Sequence, residues 1–365
     1  MSLIVSQEQL LEICQKIKSQ NLMSIDTEFM REKTYYPLLC LIQINVDGAC
    51  FVIDVLNKNL DLAPFFSLLK DQKITKIIHC VHQDLEVLFP FLQEIPKAIF
   101  DTQIMANFCG FDYNSSYVKL VKELLNKDVD KAWQRSDWCE RPLHPDQMQY
   151  ALLDVFYLPE IYNFLREKLA QKQRLEWFYE EMENVLKDKN FDGENQNLFK
   201  KFSFQKKSKV YEKNIKLLIP WRDDKAKINN IPRSFIIKDE ALQLIAERNP
   251  KSLAELNQIN FANKLNEKLK IEILAILQNE VTPEPSQFPD EDGLSFKLND
   301  KQHSLYGKAR NLLNQKSLEQ NLKPEFIINQ SNLRMVILGH RKIENVLSGW
   351  RFIAFGSDLQ NLIKN

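Results

Sequence analysis

Leu22-Met23-Ser24-Ile25-Asp26-Thr27-Glu28-Phe29 decides how the chain is read. Leu22–Ile25 is a short apolar run of strand character, and it leads into two carboxylates two positions apart. Side chains of a strand alternate between its faces, so Asp26 and Glu28 point together at one spot. Two like charges held side by side repel, and a cation between them removes the repulsion. Taken alone the pattern is weak, because surface strands carry D-x-E by chance.

Outward from this stretch, apolar runs at Leu39–Val46, Cys50–Val55, Ile74–His79 and Ala98–Phe100 alternate with helix-like segments through residues 1–170, an α/β signature. Asp47-Gly48 is a two-residue hairpin signal, so the second and third strands are expected to pair antiparallel in a mixed sheet. The fourth run passes through His79 and His82 into a helix beginning near Gln83, with Asp84 in its first turn. A carboxylate is favoured there by the helix dipole as well, so capping alone explains it. A long helical pattern follows from Asp146 to Leu169, with Pro145 at its start and a kink expected at Pro159. Tyr150 and Asp154 stand four residues apart on it, about 6 Å along the axis and on one face. An amphipathic helix with a packed tyrosine and a solvated aspartate gives the same pattern.

Composition sets the outer limits. The 365 residues carry 49 basic and 49 acidic side chains, so no global field draws in a polyanion, and any nucleic-acid contact must come from local clustering. This length suits two or three domains, and the 44% hydrophobic content suits a substantial core. No run approaches the ~18 apolar residues of a membrane span. Residues 1–8 lack the basic region of a signal peptide, so a cytosolic location and no membrane partner are expected. The six cysteines have no C-x-x-C spacing and read as small buried hydrophobes rather than zinc ligands or disulfides. No phosphate-cradling or dinucleotide glycine loop occurs, which argues against a nucleotide-driven motor or a dinucleotide enzyme.

Polar residues 189–198 read as a hinge, 200–280 as helices, the proline- and acid-rich stretch 282–293 as a second linker, and 295–365 as short helices. Lys200, Lys201, Lys206, Lys207, Lys209, Lys213 and Lys216 face one acid, Glu212, with Phe202, Phe204 and Tyr211 interleaved. Such a cluster follows a phosphate backbone or is simply a solvated face.

D-x-E on a strand, an Asp opening a helix and Y-x-x-x-D on a later helix, in that order, resemble the DEDD exonucleases in their tyrosine form. Asp26-Thr27-Glu28-Phe29, Thr34-Tyr35-Tyr36-Pro37, Leu41-Ile42-Gln43, Asp84-Leu85-Glu86-Val87, Asp101-Thr102-Gln103-Ile104, Ser136-Asp137-Trp138 and Arg141-Pro142-Leu143 resemble the ribonuclease D family along almost the whole first domain. Trp221-Arg222-Asp223-Asp224-Lys225-Ala226, Asn230–Phe235, Asp239–Pro250 and Ser252–Leu256 look like the helicase-and-RNase-D C-terminal (HRDC) domain. Val346–Arg351 is similar to the end of bacterial members of the family, where a second, divergent copy of that module sits. The resemblance implies an RNase H-like mixed-sheet α/β catalytic domain over 1–190, an all-α HRDC bundle over 200–281 and a divergent HRDC-like bundle over 294–365.

It also implies a two-metal phosphodiesterase using Mg²⁺ or Mn²⁺. Asp26 would bridge both ions, Glu28 and Asp154 would complete one site, Asp84 would hold the other, and Tyr150 would orient the attacking water. Four carboxylates offer hard oxygen ligands suited to those ions. The implied activity is 3′→5′ removal of nucleoside 5′-monophosphates from RNA, by a monomer, with precursor tRNA and other small structured RNAs as partners. Phe29, Met30, Tyr36 and Gln43 flank the carboxylates and are candidates for contact with the terminal nucleotide, with core packing as the other reading. His79 joins them, or packs behind the site; ligation by His79 and His82 is disfavoured because one lies on a strand end and the other in a turn. Asp101-Thr102 reads as a helix cap. A DNA exonuclease and a nucleic-acid-binding protein with an inactive nuclease domain are the alternatives; the presence of all four carboxylates and the tyrosine speaks against the second.

Overall fold

The computed structural model describes residues 2–130, 132–187, 198–199, 201–202, 204, 207–278 and 298–364. The 282–293 linker, the hinge up to residue 197, Lys200 and Lys206 lie outside them. Two compact units emerge: one from Met1–Phe29, Leu39–Asp192 and Lys297–Asn365, the other from Met30–Leu38 and Gly193–Phe296.

The first unit opens with β1 (Ser2–Ile4), too short to show a period in the sequence, and α1 (Gln7–Gln20), whose start is fixed by a capping box between Ser6 and Gln9. β2 (Leu22–Met30) is longer than its apolar run and carries Asp26 and Glu28 within the strand. β3 (Leu38–Val46) and β4 (Ala49–Asp54) pair antiparallel from Leu41 opposite Asp54 to Val46 opposite Ala49. Asp47 and Gly48 between them take φ of 53° and 75°, the two positive angles that a tight hairpin requires. After α2 (Ala63–Lys70) come β5 (Thr75–Ile78), α3 (His82–Leu92), β6 (Ile99–Asp101) and α4 (Thr102–Cys109). The sheet order is β1-β4-β3-β2-β5-β6, mixed as expected, with β5 parallel to both its neighbours. β2 is thus central.

Next are α5 (Tyr117–Leu125), α6 (Pro145–Phe156), α7 (Leu158–Gln171) and α8 (Leu175–Leu186). The expected single kinked helix from Asp146 to Leu169 is therefore two helices meeting at Tyr157. Pro159 has no N–H for the Val155 carbonyl and its ring crowds that turn. Asn45 compensates, its Nδ2 donating to Val155 O at 3.3 Å and Phe156 O at 3.1 Å.

The second unit is built on α9 (Lys209–Asn229), α10 (Arg233–Ile236), α11 (Asp239–Arg248), α12 (Leu253–Asn257) and α13 (Glu267–Gln278). Phe202 and Tyr211 are buried in its core beside Ile215, Leu242 and Ile273, so those two aromatics of the lysine-rich stretch are packing residues and not free to stack on bases. Residues 30–38 belong to this unit. The Tyr35 hydroxyl donates to Asp223 Oδ1 and accepts from Arg233 Nη2, both at 2.8 Å, and the Tyr36 N–H donates to Asn230 Oδ1 at 3.2 Å.

The first unit is completed by α14 (Asp300–Gln320), α15 (Pro324–Ile327), α16 (Gln330–Ile337), α17 (Ile343–Val346), α18 (Gly349–Arg351) and α19 (Ser357–Lys364). Trp350 is fully buried, its ring against Phe108, Trp177 and Phe326. Among the described residues no helix is long and apolar enough to cross a membrane. Cys14, Cys40, Cys50 and Cys109 are buried as expected, whereas Cys80 is exposed.

Candidate active site

Alternation along β2 turns Asp26 and Glu28 to one side, and α6 brings Asp154 to them. Ligand oxygens of all three lie within 4.8 Å of one another. Asp84, in the first turn of α3, accepts from the Thr27 hydroxyl at 2.6 Å and is 6% exposed. The Tyr150 hydroxyl bonds the Asp154 carboxylate one helical turn on. Its ring lies tilted against the buried Trp138, centroids 6.0 Å apart. A cavity of about 450 Å³ has Asp26, Glu28, Asp84, Tyr150 and Asp154 in its wall.

The turn that presents Asp84 is strained and braced. Cys80 takes φ 64°, a left-handed angle that a side-chain-bearing residue rarely adopts. Its N–H donates to Asp101 Oδ1 at 3.0 Å, and the Val81 N–H donates to Asp101 Oδ2 at 2.9 Å. The same carboxylate caps α4 by accepting from Gln103 N and Ile104 N. Asp101 is thus the expected cap and also the clamp on the β5–α3 turn, a second role that no spacing in the sequence signals. Thr102 continues the brace, its hydroxyl bonding His79 Nδ1 at 2.9 Å.

Electrostatics set the site's need. Burial, then the charges of Asp84, Asp154 and Glu28, push Asp26 well above the usual carboxylate range. Burial, with Asp154 and Asp84, lifts Glu28 to about 9. Burial lifts Asp84 to about 7, opposed by its hydrogen bonds from Thr27. Burial and the surrounding carboxylates also raise Tyr150, so its hydroxyl keeps its proton. Carboxylates this crowded keep protons unless a cation replaces them. The donor set is all oxygen, which fits a hard divalent ion.

Phe29 and His79 line the cavity. Gln43 does not. It is fully buried within β3, where both faces of the sheet are covered, and so cannot reach a substrate. Met30 and Tyr36 are absent from the cavity wall and belong to the second unit. Gln83, Gln103, Ser116, Tyr117 and Gln134 also line it. These were missed because each comes from a turn or helix start that carries no periodic signal.

A 3′–5′ exonuclease family model matches residues 1–170, and an HRDC domain model matches residues 212–277. Ribonuclease D of Bartonella henselae is 32% identical over 356 residues, spanning 95% of this chain and 86% of its own length. Ribonuclease D of Granulibacter bethesdensis is 31% identical, spanning 98% of this chain and 91% of its own. The crystal structure of Escherichia coli RNase D, an exoribonuclease involved in structured RNA processing, matches with a TM-score of 0.80 and 25% identity, covering 99% of this chain and 98% of that one. With nearly the full length shared in sequence and in fold, and the acidic cluster intact, the chain belongs to the ribonuclease D family of 3′→5′ exoribonucleases.

Proposed function

We propose that Asp26, Glu28, Asp84 and Asp154 hold two divalent ions, Mg²⁺ or Mn²⁺, and that the chain uses them to trim precursor tRNA and other small structured RNAs. The observation that carries this is the convergence of three half-buried carboxylates within 4.8 Å of one another on the wall of a cavity of about 450 Å³. Bound there, such ions supply an activated water and neutralise charge on the leaving 3′ oxygen. The chain's own groups do the rest. Tyr150, protonated and bonded to Asp154, orients a water beside the carboxylates. Phe29 offers a ring for the last base to stack on, and His79 a polar edge. The substrate class follows the processing role of the Escherichia coli relative. The catalytic, HRDC and divergent HRDC-like domains are assigned to 1–190, 200–281 and 294–365, acting as a monomer.

Digestion of a 5′-labelled RNA tests this, beside an Asp26→Ala variant, a chelator lane and a DNA of the same sequence. The expected result is a one-nucleotide ladder receding from the 3′ end, lost with the chelator and in the variant, and far weaker on DNA. Undiminished digestion by Asp26→Ala would overturn the assignment of the carboxylates, and equal digestion of DNA would overturn the substrate class.

A further inference from the structure

The break between α6 and α7 opens immediately behind Asp154, and a side chain from another element fills it. In an unbroken helix the Tyr157 N–H donates to the Leu153 carbonyl. Here the Tyr117 hydroxyl stands between them, donating to Leu153 O at 2.6 Å and accepting from Tyr157 N at 3.2 Å. One oxygen thus takes the place of one helical bond. The Leu153 carbonyl lies in the same rigid peptide plane as the Asp154 N–H, so whatever grips that carbonyl fixes the Asp154 Cα. On the far side, Asn45 Nδ2 ties down Val155 O and Phe156 O. The turn bearing Asp154 is therefore held from both sides by groups outside the helix.

We propose that the Tyr117 hydroxyl, with the Asn45 amide, is a positioning residue for Asp154, setting the last turn of α6 so that its carboxylate meets those of Asp26 and Glu28. The ring alone does not suffice for this. It is 9% exposed, sits at the first position of α5 and takes the His79 ring edge-on at 6.0 Å, all of which a phenylalanine would keep. What a phenylalanine loses is the bridge across a broken helix. Without it the Leu153 carbonyl and Tyr157 N–H must find water from the cavity, and the turn is free to rotate. Burial holds the Tyr117 phenol in its protonated form, so the donor is always present. Its proton is committed to Leu153, which leaves it no proton to offer a substrate.

The inference rests on the reading that Asp154 holds a metal, and the test separates the two. Tyr117→Phe, Asn45→Leu and Asp154→Ala are made in the full chain. Mn²⁺ binding is measured directly by titration calorimetry or electron paramagnetic resonance, alongside turnover against Mn²⁺ concentration, KM for RNA and Tm. Tyr117→Phe is expected to weaken Mn²⁺ binding roughly tenfold, as loss of a group that orients a ligand does. Turnover falls at low Mn²⁺ and returns at high Mn²⁺, with KM for RNA unchanged. A lowered Tm with an unmoved Mn²⁺ titration means a structural role only and overturns the proposal. Wild-type Mn²⁺ affinity in Asp154→Ala overturns the metal reading itself. If Asp154→Ala loses Mn²⁺ and the other two do not, only the positioning role falls. Asn45→Leu carries the test if Tyr117→Phe does not fold.

Discussion

At the residue scale, the site keeps its carboxylates together at a cost that depends on pH. Glu28, ordinarily near 4.5, titrates at about 9 in the fold, and Asp84, ordinarily near 3.8, at about 7. Between these limits the native state binds more protons than the unfolded chain. Stability contributed by those protons is present at low pH and is lost as pH rises through the folded values. The metal-free protein is therefore expected to lose roughly 5 °C or more of Tm between pH 6 and pH 9, and millimolar Mg²⁺ to remove most of that slope. Thermal melts in chelator and in Mg²⁺ measure it, and Glu28→Gln should flatten the chelator curve. A Tm indifferent to pH in chelator would refute the linkage. Asp26 and Glu28 were legible because strand alternation fixes their common side, and Tyr150 and Asp154 because a helical turn does. For Gln43 the packing reading holds, and the sequence left it open for a physical reason: alternation tells which residues share a face, not whether that face is open to solvent.

At the scale of elements, the segment between α5 and α6 is held by a contact that local pattern cannot reveal. Arg141 grips Asp54 at the end of β4 with two bonds, Nε to Oδ2 at 2.8 Å and Nη2 to Oδ1 at 2.7 Å, from 87 positions away in the chain. Its Nη1 also donates to the Trp138 and Glu140 carbonyls. Trp138 in turn backs the Tyr150 ring. The Ser136-Asp137-Trp138 and Arg141-Pro142 stretches stood out by resemblance, but the physics of their partner did not. Arg141→Ala leaves Asp54, 8% exposed, without its counter-ion. With the arginine itself partly solvated, a loss of about 2–3 kcal/mol is expected in urea unfolding, together with a fall in turnover as Trp138 loosens behind Tyr150. Adding Asp54→Ala should cost less than the sum of the single changes. Strict additivity would mean the pair does not act as one clamp. The α6–α7 break was half legible, since Pro159 marked a disturbance but nothing near it in sequence announced Asn45 as the group that satisfies the freed carbonyls.

At the scale of the molecule, one compact unit is assembled from both ends of the chain, and the join is chemical as well as apolar. Glu181 on α8 accepts from Trp350 Nε1 at 2.8 Å and from Arg351 Nη1 and Nη2 at 2.5 and 2.7 Å. The neighbouring Glu180 receives the Trp350 N–H, and Gly349, at φ 52°, comes so close that any Cβ there would strike the Glu180 carboxylate. Val346–Arg351 could be read from the sequence as a recurring ending, yet what covers an apolar helix face is not written in that helix. The structure supplies it: Phe108, Trp177 and Phe326 close around Trp350. Removing that indole leaves a large void in a place where neighbours from α4, α8 and α15 cannot all collapse inward, so Trp350→Ala is expected to cost about 3–5 kcal/mol. Because this packing reaches the same unit that carries the carboxylates, the loss should move the whole unit's melting and the thermal loss of ribonuclease activity down together. An early transition of the C-terminal helices alone, with activity persisting to the wild-type temperature, would mean that the terminal helices and the carboxylate-bearing part are separate cooperative units.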